Sequence, residues 1–156
     1  MPFQPLTRTE QEILRHLQSD GRTTKRALAE QVGLAPSTTL DKVRDLEERQ
    51  VITGYHADVS LDALGRSMQA FVAIRVRPKT QAIVDALIDR LWNLPETLGV
   101  FIVSGDDDIL VHLGVKDTQN LRSLVLENIA SAEGVVDETT SLIFEHRRKS
   151  VISAVE

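Results

Sequence analysis

Residues 25–50 carry the pattern that most constrains how this chain folds. Leu28 and Val32 lie four residues apart, as on one face of a short helix, and Gly33 is the residue type that ends a helix in a left-handed conformation. Pro36 is favoured in the first turn of a new helix, because its missing N–H would have no partner there. Two helices joined by so short a glycine-containing turn predict a helix-turn-helix.

The second helix, predicted from Pro36 to Glu48, has an apolar side and a polar side. Leu40, Val43 and Leu46 are spaced for burial. Small polar residues lie at the N-terminal end, where a recognition helix meets base edges in the major groove. An ordinary solvated helix start, or a protein-binding module, remains the alternative. The residues of this helix predicted to contact DNA are Pro36, Ser37, Thr38, Thr39, Asp41, Lys42 and Asp45.

A helix before this pair completes a three-helix core. Thr7 and Glu10 have the spacing of a capping box, and Thr23 or Thr24 can cap the following helix. The β-branched and aromatic residues in 51–59 predict a strand or small wing after the third helix. The predicted core comprises Ile13, Leu14, Leu17, Leu28, Val32, Leu34, Leu40, Val43 and Leu46.

The net charge of −5 opposes DNA binding, because neutralisation of phosphates supplies most non-specific affinity. Residues 1–60 hold eight basic and nine acidic groups, so a DNA surface has to come from local clustering of Arg22, Lys25, Arg26 and Lys42. At the start of the second helix, Thr24 and Lys25 are expected to contact the phosphate backbone. The predicted DNA-binding set therefore also includes Arg22, Thr24 and Lys25.

The second half of the chain alternates strand and helix patterns. Strands are predicted over 68–76, 98–104, 109–115 and 135–146, with helices after Thr80 and Asp117. The order β-α-β-β-α-β is that of the ferredoxin-like arrangement, in which two helices cover one face of a four-stranded sheet. The fold class is therefore α+β.

The other face of this sheet is predicted to be apolar. Phe71 and Ala73 point there, and a bare apolar face in a small domain is usually covered. A second copy of the same sheet is the economical cover, which predicts a homodimer. The remaining members are either Val100 and Ile102 or Phe101 and Val103, with one set from Leu110 and His112.

Several function classes have no support in the sequence. The chain has no cysteine, and its four histidines are scattered without a metal-ligand partner at helical spacing. No phosphate-binding loop or nucleophile–base pair is recognisable, so we expect no enzyme, metal or cofactor. No apolar run approaches the roughly 20 residues of a membrane span, and residues 1–5 lack a signal-peptide layout. A cytoplasmic protein is expected.

The whole chain resembles the leucine-responsive/asparagine regulatory (Lrp/AsnC, feast/famine) family of bacterial and archaeal transcription factors. The resemblance spans about 140 residues and rests on six short motifs in order. They are Leu14-x-x-Leu17 before Asp20-Gly21-Arg22, Leu28-Ala29-x-x-Val32-Gly33-Leu34, Val43-x-x-Leu46-Glu47, Val51-Ile52-x-Gly54-Tyr55, Leu64-Gly65, and Gly105-x-x-Asp108.

The resemblance implies a helix-turn-helix DNA-binding domain over 1–52, winged in form, a β-linker over 53–66, and a ferredoxin-like effector-binding and oligomerisation domain over 67–156. Family effectors are typically amino acids, bound near the Gly-x-x-Asp loop at contacts between dimers, and dimers often assemble into tetramers or octamers. Matching positions for the effector are Ser104, Gly105, Asp106, Asp107 and Asp108, with Thr139, Thr140 and Ser141 on the last strand.

These observations predict a nucleoid-associated transcriptional regulator that binds double-stranded DNA and is controlled by an amino acid through oligomer geometry. The alternative is an amino-acid sensor whose DNA-binding head is weakened, because Asp41 and Asp45 would repel phosphate. The chain also departs from the family at Gln50, where a glycine is expected before Val51, and at Ala35, where a capping serine is common.

Overall fold

The computed structural model describes residues 4–155, so the predicted domain boundaries at residues 1 and 156 lie outside the described part. The chain divides into two compact units. The first unit comprises the residues up to Asp58 together with the C-terminal segment from Arg147, and the second unit comprises Val59–His146.

Three helices form the first unit: α1 at Arg8–Ser19, α2 at Lys25–Val32 and α3 at Pro36–Glu48. Ile13, Leu28 and Leu46, one from each helix, are fully or almost fully buried and meet in its core. The residues that pack around them, half-buried, are Leu6, Leu14, Leu17, Val32, Val43, Val51 and Ile52. The predicted helix-turn-helix and most of its predicted core are confirmed.

The ends of these helices follow the capping residues in the sequence. The hydroxyl of Thr7 accepts a bond from the Glu10 amide at 3.3 Å, and the Glu10 carboxylate accepts one from the Thr7 amide at 2.6 Å. Thr24 caps α2 by accepting from the Ala27 amide. Gly33 ends α2 with φ of 69°, a left-handed conformation that costs glycine little. The predicted capping box is therefore present.

The sequence predicts a strand or small wing within 51–59, but no strand is found between α3 and residue 68 in the described chain. The amides of Val51 and Ile52 instead donate to the carbonyl of Leu46 at 2.9 and 3.1 Å, and their side chains pack on the helical core. A β-strand needs a partner strand, and these amides are already used to end α3. The strand prediction was wrong, and these bonds give the reason at Val51 and Ile52.

The C-terminal segment is in contact with α1. Its backbone pairs with the side-chain amide of Gln18 on α1 at Ile152, through bonds of 3.0 and 2.8 Å. The segment from Arg147 therefore belongs to the first unit.

The second unit contains a four-stranded antiparallel sheet with strand order β2-β3-β1-β4, as expected for the ferredoxin-like arrangement. The strands are β1 at Met68–Val76, β2 at Thr97–Ile102, β3 at Ile109–Val115 and β4 at Val135–Ile143. The helices are α4 at Gln81–Trp92 and α5 at Thr118–Leu124, the latter continued by a π-helical segment at Val125–Ala130. A single 3₁₀ turn at Asp62–Leu64 precedes the sheet in the described chain.

The core of the second unit lies between the helices and one face of the sheet. Every second residue of β1 and of β3 is buried, which confirms the predicted alternation. From the helices, Leu87, Leu91, Leu121 and Ile129 complete this core. Strands β2 and β4 end earlier than predicted, at Ile102 and Ile143 instead of Ser104 and His146.

None of the helices in the part of the chain described has the length and apolar character needed to cross a lipid bilayer.

Candidate DNA-binding surface and effector site

The N-terminal half of α3 presents a polar surface over a packed core. Pro36, Ser37, Thr38 and Asp41 are exposed, and Lys42 is partly exposed. The helix begins without a side-chain cap at Ala35, so no cap competes for its first-turn amides. This arrangement presents hydroxyl, carboxylate and ammonium groups that can contact base edges or phosphates.

Thr39 is a correction to the predicted set, because it is only 1% exposed. Its hydroxyl donates to the carbonyl of Ala35 at 3.1 Å within α3. The prediction placed Thr39 on the outward side with Ser37 and Thr38. The helix turns 100° per residue, and by Thr39 it has turned toward the core. Leu34 and Leu40, which were also predicted for the core, are half-buried but are not among the residues that pack against the buried cluster.

Asp45 is held by Arg49, whose guanidinium lies 2.7 Å from its carboxylate. The same guanidinium nitrogen lies 2.6 Å from the carboxylate of Glu10, which is buried. The bond from the Thr7 hydroxyl, with help from the Thr7 amide and Arg49, lowers the pKa of Glu10 to about 2. Arg49 thus offers one positive charge to the two carboxylates of Glu10 and Asp45, so it offsets the repulsion between Asp45 and DNA only in part.

The start of α2 carries the residues predicted to contact phosphate. Arg22, Thr24 and Lys25 are all exposed. Arg26, by contrast, is paired with Glu30 at 3.2 Å one turn later on α2. The amides of the first helical turn and the cations of Arg22 and Lys25 favour an anion at this position.

The predicted effector loop connects β2 to β3, and its members differ in exposure. Ser104, Gly105 and Asp106 are exposed, Asp107 is half-buried, and Asp108 is 3% exposed. Gly105 has φ of 141°, which side chains other than glycine rarely adopt. The loop therefore offers two acidic side chains to a ligand, rather than the three that the sequence indicates.

Asp108 is already engaged inside the unit. Its Oδ2 accepts from the amide of Val76 at 2.8 Å and from Arg77 at 3.0 Å, and its Oδ1 pairs with the ammonium of Lys79. The bond from Lys79, followed by the Val76 amide, lowers the pKa of Asp108 to about 2. These contacts attach the loop to the end of β1, so Asp108 positions the loop instead of facing a ligand.

Arg75 connects the loop to the last strand. Its Nε donates to the carbonyl of Asp106 at 2.9 Å, and its Nη1 lies 3.6 Å from the carboxylate of Asp137 on β4. Sequence reasoning missed Arg75, Arg77 and Lys79. These three basic residues follow one another at intervals of two at the end of an apolar strand. Alternate residues at a strand end share a side of the sheet, so this spacing could have indicated a group of cations there.

The weaker effector candidates on β4 do not share one face. Thr139 pairs with Ala73 and Ser141 with Phe71, on the face away from the helices. Thr140 pairs with the buried Val72 and lies on the opposite side. All three are exposed. The structure brings Thr139 and Ser141 to one surface and separates Thr140 from them.

The sheet face away from the helices contains a cluster of rings. The ring of Phe71 stacks on His112 at 4.7 Å and approaches Phe101 at 6.4 Å. The strand register pairs Phe101 with Leu110, and Leu110 with Ala73. Of the two alternatives predicted for β2, the one that includes Phe101 therefore lies on this face. Both Leu110 and His112 lie on it as well. Burial, followed by the neighbouring His146, lowers the pKa of His112. Phe101 is 50% exposed, so the face is not fully covered within the chain.

Two surface clefts of the second unit lie away from the predicted effector residues. One of about 290 Å³ is lined by residues that include Arg66, Gln69 and His146, and another of about 440 Å³ by residues that include Ala82 and Arg90. Neither cleft is lined by residues 104–108 or 139–141. Among the described residues, no group of three or more side chains could hold a metal ion.

Comparisons with known proteins agree with this architecture. Residues 6–53 match the family described as winged helix-turn-helix DNA-binding, and residues 69–151 match the Lrp/AsnC ligand binding domain. The chain is 36% identical over 139 residues to the HTH-type transcriptional regulator AldR of Mycolicibacterium smegmatis, covering 89% of this chain and 81% of that protein. It is 32% identical to the leucine-responsive regulatory protein of Escherichia coli K12, covering 96% and 91%.

A solved structure shares the fold over nearly the same length. The L-Met complex of a transcriptional regulator from Neisseria meningitidis superposes with a TM-score of 0.87 at 28% identity, covering 93% of this chain and 94% of that one. The helix-turn-helix of the first unit, the antiparallel sheet of the second and these matches agree over the length of the chain. The protein therefore belongs to the Lrp/AsnC family and is a transcriptional regulator of that family, with a helix-turn-helix domain and a ligand-binding domain.

Proposed function

We propose that this regulator reads specific DNA sequences with α3 and that an amino-acid effector controls it through the geometry of its oligomer. The observation that carries the DNA-reading role is the exposed group of Ser37, Thr38, Asp41 and Lys42 on a helix whose other side is locked into the core by Leu46. Ser and Thr hydroxyls can bond to several base edges, and Asp41 can accept from a cytosine amino group. Arg22, Thr24 and Lys25 set the register on the phosphates.

The effector is proposed to bind at the 104–107 loop. The carboxylates of Asp106 and Asp107 suit an α-ammonium group, while the backbone of Gly105 and the guanidinium of Arg75 suit an α-carboxylate. Thr139 and Ser141 are the candidates from β4. The L-Met complex of the Neisseria meningitidis regulator supports an amino acid as ligand. Because these residues line neither of the two clefts described above, we expect a second chain to complete the site.

A homodimer is proposed to form through the sheet face that carries Phe71, Phe101 and Leu110. An apolar face of this kind in a small domain usually has a partner, and a second identical sheet is self-complementary. Dimers can then assemble into tetramers or octamers, which changes the spacing of the helix-turn-helix units. An effector alters this equilibrium only if it binds one assembly state more tightly than the other.

The alternative, a sensor with a weakened DNA-binding unit, rested on Asp41 and Asp45. The ion pair with Arg49 reduces the charge that Asp45 presents, although Arg49 is shared with Glu10 and does not balance both carboxylates. Asp41 remains exposed. A protein that binds amino acids and shows equal, weak affinity for all DNA sequences would fit the alternative.

The test is a gel-shift titration of the full chain with upstream DNA at stated salt, comparing Lys42→Glu with Lys116→Glu. Both changes alter the net charge equally, but Lys116 is an exposed residue of the second unit. We expect Lys42→Glu to abolish the specific band and Lys116→Glu to keep it. Equal behaviour of the two variants would contradict the role of α3. A thermal-shift screen of the twenty amino acids then tests the effector, since a ligand that binds the native state raises the apparent Tm.

A further inference from the structure

The C-terminal segment is attached to the helix-turn-helix unit by a two-way hydrogen bond. Nε2 of Gln18 donates to the carbonyl of Ile152 at 3.0 Å, and the amide of Ile152 donates to Oε1 of Gln18 at 2.8 Å. The side-chain amide of α1 thus pairs with the backbone of the segment as a neighbouring strand would. This geometry places residues 147–155 against the first unit and gives the segment a defined course there.

The attached segment changes the charge of the DNA-binding unit. Residues up to 58 hold eight basic and nine acidic groups, and residues 147–156 add Arg147, Arg148, Lys149 and one acidic group. The unit as a whole then has eleven basic and ten acidic groups. Arg148 and Lys149 are exposed and make no hydrogen bond or ion pair with other residues in the described part of the chain.

These cations lie near the residues that are expected to contact phosphate. Arg22 follows Gln18 by four residues, which limits their Cα separation to about 15 Å. Lys149 precedes Ile152 by three residues, which limits that separation to about 11 Å. Because Gln18 and Ile152 are hydrogen-bonded to each other, both groups of cations lie in the neighbourhood of the C-terminal end of α1.

We propose that the C-terminal segment is a second DNA-contacting element, in which Arg148 and Lys149 bind backbone phosphates of the duplex and Gln18 holds the segment in place. This inference rests on the proposed DNA binding of the helix-turn-helix. It assigns a sequence-independent contribution to the segment, because ammonium and guanidinium contacts to phosphate carry no base information. The segment also adds a net charge of +2 (three basic groups and one acidic) to a unit whose other residues carry a net charge of −1 (eight basic and nine acidic).

The test measures binding of the full chain to a duplex without an operator, by fluorescence anisotropy at several KCl concentrations. The variant Arg148→Ala/Lys149→Ala is compared with Lys116→Ala/Arg122→Ala, which removes the same charge from exposed positions of the second unit. We expect Arg148→Ala/Lys149→Ala, the tail variant, to raise the Kd for this duplex about fivefold at 100 mM KCl. We also expect the slope of log K against log salt to become shallower by about 0.9 for each phosphate that the variant no longer neutralises. The control should differ little from the wild type.

Equal Kd values and equal slopes for the tail variant and its control would overturn the inference. Lys42→Glu separates this outcome from failure of the proposed function. If the wild type shows no specific band and Lys42→Glu changes nothing, the proposed function itself fails. If the specific band depends on Lys42 while the tail variant matches its control, only the role of the segment fails.

A third variant, Gln18→Ala, tests the attachment without altering charge. We expect it to accelerate hydrogen exchange at the Ile152 amide and to raise Kd for the same duplex, by less than the double variant does. Faster exchange with unchanged Kd would contradict the positioning role of Gln18, and unchanged exchange would contradict the attachment itself.

Discussion

The guanidinium Nη1 of Arg49 donates to Oε1 of Glu10 over 2.6 Å, which joins the C-terminal end of α3 to the first turn of α1. Glu10 is 5% exposed and also completes the capping box with Thr7. One carboxylate therefore caps α1 and anchors the helix proposed to enter the major groove. Breaking this contact should loosen the placement of α3 as well as lower stability.

Replacing Arg49 with Met is expected to lower the Tm of the first unit by about 5 °C, because the buried carboxylate of Glu10 loses a charged partner. Arg44→Met is the matched control, since Arg44 is exposed on the same helix. Differential scanning calorimetry measures both. The pKa of Glu10 should rise above 2 in Arg49→Met but stay below its ordinary value, because the Thr7 bonds remain. Equal Tm values for the two variants would show that the ion pair adds nothing to stability.

Gln50 is a position at which a simple change should stabilise the protein. It follows the end of α3 with φ of 56°, a left-handed conformation that costs a non-glycine residue roughly 1 kcal/mol. Gln50→Gly should therefore raise the free energy of unfolding by about 0.5–1 kcal/mol, measured by urea titration. Gln31→Gly, within α2, should lower it by about 1 kcal/mol. A loss of stability in Gln50→Gly would mean that the bond from its side chain to the Glu47 carbonyl outweighs the backbone strain.

Thr38 and Thr39 are neighbours with opposite expected roles. Thr39→Val keeps the buried shape but removes the bond to the Ala35 carbonyl, so we expect a loss of about 1 kcal/mol in stability with little change in specific DNA affinity. Thr38→Val should leave stability nearly unchanged and weaken specific binding severalfold. Chemical unfolding and gel shift on both variants give the comparison. The reverse pattern would contradict the orientation of α3 that the structure shows.

Acid should destabilise both units through two identified carboxylates. The folded-state pKa values of Glu10 and Asp108 are lowered to about 2, so each contributes stability that is present above its ordinary pKa of about 4. That stability is lost as the pH falls from about 5 through 2, where the folded carboxylates take up protons. Calorimetry over this range should show Tm falling, less steeply for the first unit in Glu10→Gln and for the second in Asp108→Asn. A wild-type Tm independent of pH between 5 and 2 would contradict both assignments.

The proposed dimer makes a prediction about Phe101. This side chain is 50% exposed on the sheet face away from the helices, while Trp92 is 65% exposed at the end of α4. A carboxylate in a self-paired apolar face would be buried without a partner, so Phe101→Asp should convert the oligomer to monomers at micromolar concentration. Trp92→Asp should leave the mass unchanged. Light scattering after gel filtration measures both, and a wild type that is already monomeric would refute the proposed interface.

Much of the architecture follows from local patterns in the sequence. The capping box at Thr7 and Glu10, the stop at Gly33 and the start at Pro36 each act within one or two helical turns, so the residues themselves specify them. The alternation in β1 and β3 follows in the same way from the two-residue period of a strand. The family could be recognised because such local signals occur in one order along the chain.

Tertiary structure decided which side chains remain available for function. Thr39 and Asp108 appear in the sequence as free polar groups, yet Thr39 is buried and Asp108 is bound by the cations of Arg77 and Lys79. The partners of Arg49 and Gln18 lie 39 and 134 residues away, and no periodicity reports such contacts. Apart from the strand predicted within 51–59, the sequence alone determined the helices, the strands and their order, because these depend on neighbours along the chain. Burial and charge pairing depend on neighbours in space, which only the folded chain brings together.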